Sequence, residues 1–133
     1  MLVKNSNKLV SGIFITFSGN CKRALTFYQT CFGGILHFET FDKELKGYTE
    51  KPVISGSLVS DSIVIHGSDL VHNEGRKIGN YLSIFLQCKN TDDRKVLIDK
   101  IKSGRRSLSY RNYEEQVLIE VTDAFGVTWV LGI

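Results

Sequence analysis

The chain has 133 residues, enough for one domain that buries about two-thirds of its unfolded surface without disulfide or metal staples. Its 42% hydrophobic and 23% charged residues suit a globular protein, and a net charge of +3 is too small an excess to argue for nucleic acid. No apolar run approaches a membrane span, and the opening M-L-V-K-N-S-N-K-L-V lacks the unbroken apolar stretch of a signal peptide, so the expectation is a cytoplasmic protein with no membrane partner.

Val10 to Phe17 is rich in β-branched and aromatic residues and predicts a strand. A helix follows: Asn20 is placed to cap it, Ala24, Leu25, Tyr28, Cys31 and Phe32 recur on one face, and Gly33-Gly34 stops it. Such a helix is about 20 Å long, too short to persist without a sheet beneath it. Ile35 to Phe41 alternates apolar and polar residues and predicts a second strand. Asp42 to Pro52 is a loop, and Val53 to Val59 with Ser62 to His66 forms a hairpin around Ser60-Asp61.

The order then starts again. Tyr81 to Cys88 predicts a strand, Thr91 a helix cap with Asp92 and Asp93 against the positive dipole end, and Leu97, Ile98 and Ile101 an apolar stripe that Gly104 ends. Short strands follow around Leu108 to Tyr110, Val117 to Val121 and Val127 to Leu131, with Gly126 turning the last hairpin. The expectation is one α+β domain, 1–133, of two βαβββ modules: about 8–68 and 81–133, joined by a linker at about 69–80. Two sheets, each with a helix on one face, enclose a small-molecule cleft if their other faces meet. A ferredoxin-like α+β domain without a cleft is the alternative.

Three cysteines, Cys21, Cys31 and Cys88, are an odd number with no C-x-x-C pair. They read as reduced, buried small hydrophobes. His37 and Glu39 share one strand face by period two, and form either an acid-base pair or partial metal site, or part of a solvated outer face. His66 lies at a strand end and His72 in the linker. Lys102, Arg105, Arg106 and Arg111, with Tyr110 among them, form the one basic cluster, either a solvated loop or an anion site.

The stretch F-I-T-F-S-G-N-C-K-R-A-L-T-F-Y-Q-T-C-F-G-G resembles the first module of the vicinal oxygen chelate superfamily, the glyoxalase, bleomycin-resistance and extradiol-dioxygenase fold, and within it the PhnB-like branch. Ser55 to Asp69 resembles its third and fourth strands, Tyr81 to Gly104 the start of its second module, and T-D-A-F-G-V-T-W its D-P-F-G-x-x-W ending, with Ala124 in place of the proline. The resemblance implies paired modules, a U-shaped mixed sheet around a cavity, and a homodimer. Some members of the branch are labelled ubiquinone-pathway methyltransferases, but this chain has no glycine-rich turn for a methyl donor.

The resemblance also implies a divalent metal held by His, Glu or Gln on the inner sheet face. The matching slots here are Ile13, Ser55, Ile84 (or Ser83 if the register slips) and Val130, none a competent ligand for such an ion. The family's W-G-type motif before the last turn is also missing, with Tyr113-Glu114-Glu115-Gln116 in that region. If Ser55 keeps the inner orientation of its slot, Ser57 joins it, Thr128 and Val130 line the same cavity with Ile13, and Trp129 goes under a helix as core. The expectation is therefore a protein without a cofactor, binding a small molecule in a mainly apolar cleft whose candidate lining is Ile13, His37, Glu39, Ser55, Ser57, Thr128 and Val130. The alternative is a metal-dependent lyase, isomerase or dioxygenase with one divalent ion on ligands relocated among His37, Glu39, His66 and Glu120.

Overall fold

The computed structural model describes residues 11–42, 51–69, 79, 81–103 and 117–133. The chain divides into two compact units, Met1–Lys77 and Ile78–Ile133.

In the first unit, β1 (Ile13–Thr16), α1 (Cys21–Phe32), β2 (Ile35–Thr40), β3 (Val53–Val59) and β4 (Val64–Ser68) follow in order. The sheet runs β1-β4-β3-β2, with β1 parallel to β4 and the other neighbours antiparallel. The parallel pair follows from α1, which crosses over and lets the chain come back alongside its first strand. Ser60 turns the β3–β4 hairpin, its amide donating to the Ile63 carbonyl while the Ile63 amide donates to its Oγ.

Helix α1 buries Cys21, Ala24, Leu25, Tyr28 and Cys31 against this sheet, leaving Phe32 half-buried. Two glycines set how closely it packs. Gly56 of β3 pairs with Gly67 of β4, and both turn their missing side chains toward the helix. A methyl at Gly56 would lie 2.9 Å from Leu25 Cδ1, and one at Gly67 would lie 3.0 Å from Cys21 Sγ. Leu25 and Cys21 of the helix fill the gap they leave.

The start of α1 differs from its expectation. Asn20 occupies the cap position but its side chain makes no capping bond, and its Oδ1 is buried without a partner. The acceptor comes from Asp69 instead, which is only 6% exposed at the end of β4. Its Oδ1 accepts from the Gly19 amide at 2.7 Å and the Cys21 amide at 3.2 Å, and its Oδ2 from the Val53 amide at 2.9 Å. A carboxylate at a helix N-terminus also meets the positive end of the dipole.

The second unit contains β5 (Ile84–Gln87), α2 (Thr91–Ile101), β6 (Leu118–Thr122) and β7 (Thr128–Gly132), with sheet order β5-β7-β6 and β5 parallel to β7. The strand expected around Leu108 to Tyr110 lies outside the described residues. The cap of α2 is Asn90 rather than Thr91: its Oδ1 accepts from the Asp93 amide at 2.8 Å, so the helix begins at Thr91. The buried stripe is Arg94, Ile98 and Ile101, with Leu97 half-buried. Arg94 is buried and donates from Nη1 to the Val117 carbonyl at 3.1 Å.

Asp123 organises the last turn. Its Oδ1 accepts from the Phe125 and Val127 amides, and its Oδ2 accepts from Trp129 Nε1 at 2.9 Å. Asp123 and Trp129 are both fully buried. Gly126 takes a φ of 84°, which the turn requires and which costs glycine nothing.

Replacing Asp69 with alanine strips the acceptor from three amides on two elements. We expect Asp69→Ala to lower unfolding stability by about 3 kcal/mol, read from the midpoint of urea unfolding. A change indistinguishable from zero would show that those amides find other acceptors.

Candidate functional site

Period two and the pairing registers assign every strand residue of the first sheet to a face. Ile13 pairs with Ile65, Ile65 with Leu58, and Leu58 with Leu36, and this row faces α1 together with the Gly56–Gly67 pair. The next row faces the other way: Phe14 pairs with His66, His66 with Ser57, and Ser57 with His37. Glu39 pairs with Ser55 beside it, and Thr16 with Ser68. A register shift falls between Glu39 and Thr40, so Glu39 keeps its place opposite Ser55.

The first sheet therefore brings together His37, Glu39, Ser55 and Ser57 on the face turned away from α1, and adds His66. It does not bring Ile13 there. That is a correction: counting seven residues back from the helix cap lands one residue out of phase, and in a strand one residue is the other face. Phe14, 58% exposed, takes the position. The second sheet repeats the correction. Ile84 pairs with Trp129 on the α2 side, whereas Phe85 pairs with Val130, and Val130 with Glu120, on the opposite face. Thr128 joins them there and its Oγ1 lies 3.2 Å from Thr122 Oγ1. Trp129 is core under its helix, as parity requires. The signal that would have placed Phe14 is Phe17, which is buried on the α1 side (2% exposed) and so fixes the phase of Ile13 and Ile15.

The face of the first sheet has a graded character. Ser57 and Ser68 are buried, at 3% and 4% exposure, Ser55 and His66 are half-buried, and His37 and Glu39 are exposed. Adjacent paired positions have Cβ atoms about 5 Å apart, so Ser57 lies between two imidazoles with Phe14 beyond His66. Burial pushes the His66 imidazole below its usual range, so it is neutral at pH 7. The described strand residues of this face include no Lys or Arg.

A divalent metal does not fit these positions. The slots that resemblance assigns hold Ile13, Ser55, Ile84 or Ser83, and Val130, and the positions that in fact turn away from the helices hold Phe14 and Phe85. Hydrocarbon and hydroxyl are poor donors for zinc, nickel, manganese or iron. Among the described residues, no three His, Cys, Asp or Glu side chains gather closely enough to hold a metal ion. Of the basic cluster only Lys102 is described; Arg105, Arg106, Tyr110 and Arg111 lie outside the described residues, as do His72 and Tyr113 to Gln116.

The thiols offer no nucleophile. All three cysteines are free and buried. Burial first, and the Asp69 carboxylate second, push the Cys21 thiol up to about 12. Burial also raises Cys88, against an opposing pull from Arg94. Thiols held in this form are neither metal ligands nor attacking groups near neutral pH.

No protein-family model matches the sequence, and no curated protein matches it. Solved structures do match. A protein of Pseudomonas aeruginosa shares 24% identity at a TM-score of 0.71, over 94% of this chain and 97% of that one. A PhnB protein of Bacillus cereus, named for a 3-demethylubiquinone-9 3-methyltransferase, shares 19% at 0.69, over 92% and 97%. The fosfomycin resistance protein FosX of Mesorhizobium loti shares 13% at 0.59, over 98% and 92%. The fold of this chain is accordingly the α+β fold of the glyoxalase, bleomycin-resistance and dioxygenase proteins.

Two titrations test the site's electrostatics. Cys21 is protonated in the native state up to about 12 but ionises near 9.0 once unfolded. Its contribution to stability is fully present below pH 9 and is lost as pH rises from there toward 12. In native protein at pH 8, thiol reagents should leave Cys21 unmodified, and urea should expose it; mass spectrometry of the peptides reads both. His66 has the opposite sign. The unfolded chain takes up a proton near 6.5, which the native imidazole resists, so its contribution is present above pH 6.5 and lost below it. His66→Gln should flatten that acid limb of the stability curve.

Proposed function

We propose that this chain is a PhnB-like member of the vicinal oxygen chelate superfamily, one domain of two βαβββ modules, that binds a small, largely apolar molecule without the usual divalent metal. The observation that carries the reading is the row Phe14–His66–Ser57–His37. It lies on the face of the first sheet turned away from α1, where the fold's relatives by resemblance would carry metal ligands. Its groups are an aromatic ring, a neutral imidazole and a buried hydroxyl, and these suit binding. Among the described residues no hydrogen bond joins the Ser57 hydroxyl to His37 or His66, and a serine without an aligned base is a weak nucleophile, so the reading is a binding protein rather than an acyl-transfer enzyme.

The likeness to FosX and to the PhnB protein supports the fold on which this reading rests. In the second unit, Phe85, Val130 and Thr128 offer a similar apolar face with hydroxyls at its edge. The reading includes a homodimer, which the exposed Tyr81, Leu82, Phe85 and Leu118 support. No helix of the described residues is long and apolar enough to cross a membrane, and a cytoplasmic location belongs to the same proposal.

One observation favours a second reading. His37, Glu39 and His66 share a face, so a metal-dependent lyase, isomerase or dioxygenase with relocated ligands would start from them, with Glu120 of the second sheet as a further candidate. Plasma mass spectrometry after dialysis against mixed divalent ions separates the two. We expect substoichiometric metal and no change on His37→Ala. Stoichiometric zinc, nickel, manganese or iron, lost in His37→Ala or Glu39→Ala, would establish the second reading and overturn the first.

A further inference from the structure

The homodimer proposed above needs a contact between copies, and the edge of the first sheet offers one. Sheet order leaves β2 outermost: β3 pairs with one side of it, and among the described residues no strand pairs with the other. Alternate residues of such a strand point their backbone N–H and C=O groups outward, which makes the edge a template for a further strand. Proteins ordinarily blunt an edge with lysine, proline, short length or a bulge. The opposite edge, β1, is short, at 4 residues. β2 has 6, I-L-H-F-E-T, with neither lysine nor proline among them. The register shift beside it leaves it uninterrupted. Glu39 pairs with Ser55 and Thr40 with Val53, so the extra residue is Ile54 of β3. Ile35, His37, Glu39 and Thr40 are exposed, and Leu36 and Phe38 are half-buried.

The occupant follows from the strand's own sequence. Two copies of β2 pair antiparallel about a two-fold axis perpendicular to the sheet, and opposed side chains then stand on the same face. Residues on one face of a strand are an even number of positions apart, so the axis passes through a residue and never between two. Two centres keep most of β2 paired. Centred on His37, imidazole meets imidazole and the apolar Ile35 meets the partner's Glu39. Centred on Phe38, His37 meets the partner's Glu39 at both ends of the contact, Leu36 meets the partner's Thr40, and Phe38 meets the partner's Phe38. The second register is self-complementary. On the open face each imidazole donor faces a carboxylate acceptor, and on the α1 face aromatic meets aromatic.

We infer that two copies of this chain join edge to edge through antiparallel β2 strands, about an axis at Phe38, with His37 of each copy opposite Glu39 of the other. The two four-stranded sheets become one continuous sheet, with their open faces side by side. This names the contact of the proposed homodimer and rests on that reading.

The test is the mass of the full chain in solution at neutral pH, by sedimentation velocity across a dilution series. The expected result is a dimer that dissociates on dilution, because a contact of one short strand per copy is small. His37→Glu opposes carboxylates at both ends of the contact, and Glu39→Lys opposes imidazole and ammonium. Each should weaken self-association about tenfold. Mixing the two variants in equal amounts should restore a dimer, because each then meets an opposite charge, and the double variant should restore it by itself. Both side chains are exposed, so the fold survives the changes, and an unchanged unfolding midpoint checks this.

A dimer indifferent to both single variants would overturn the inference. If Phe85→Ser then dissolved it, the homodimer reading would stand on the exposed apolar side chains of the second unit instead. A dimer weakened by both single variants and not recovered by mixing them would reveal sensitivity to charge without this register, and would equally overturn the inference. A monomer at every concentration would overturn the inference and the homodimer reading together.

Discussion

The carboxylate of Asp69 is the constraint on which the first unit depends. It ends β4, yet its two oxygens hold the amides that open α1 and β3. One buried charge therefore fixes where the helix starts relative to two strands. It is stable there because backbone donors and the helix dipole replace the water it has lost. Burial first, and the same carboxylate second, raise the Cys21 thiol, which lies within the first turn that Asp69 caps. Asp123 serves the second unit in a comparable way, gathering two amides of its turn and the indole of Trp129 into one buried set.

With the helix start fixed, the Gly56–Gly67 pair decides how deep α1 settles. Leu25 and Cys21 occupy the volume those residues leave open. Leu58 and Ile65, the fully buried apolar side chains of β3 and β4, are spent on this contact. The residues that alternate with them are then left for the opposite face, and in this chain they are Phe14, His66, Ser57 and His37. The composition of the candidate site is thus the complement of the core's composition, dictated by the pleat. A protein with this fold that needed a metal would have to place imidazole or carboxylate at those alternate positions. Here the first strand offers phenylalanine and the third serine, and the imidazoles and carboxylate of the second and fourth strands do not gather into a metal-holding set among the described residues.

The proposed binding reading rests on recognition by shape and by a few hydrogen bonds. A neutral half-buried imidazole beside a buried hydroxyl stabilises an uncharged polar group and does little for a developing anion, because oxyanion stabilisation needs donors or cations aimed at the charge. The fold has relatives of more than one named role, and the side chains of the site, not the sheet that carries them, separate those roles.

The order of the described elements, the apolar face of α1 and the residue types at the resemblance's metal slots were legible in the sequence. Each depends on local spacing: apolar recurrence near 3.6 for α1, alternation for β2, and the residue types at fixed offsets. The burial of Trp129 followed from parity alone. Three things were decided only by tertiary structure. Asp69 displaced Asn20 as the acceptor for α1 because it arrives from a strand 48 residues away from Cys21, outside any local pattern. Arg94 entered the buried face of α2 because a carbonyl of Val117 receives its guanidinium. Phe14 replaced Ile13 on the candidate site because strand parity is fixed by which neighbour each residue pairs with, and a count along one chain has no knowledge of that neighbour.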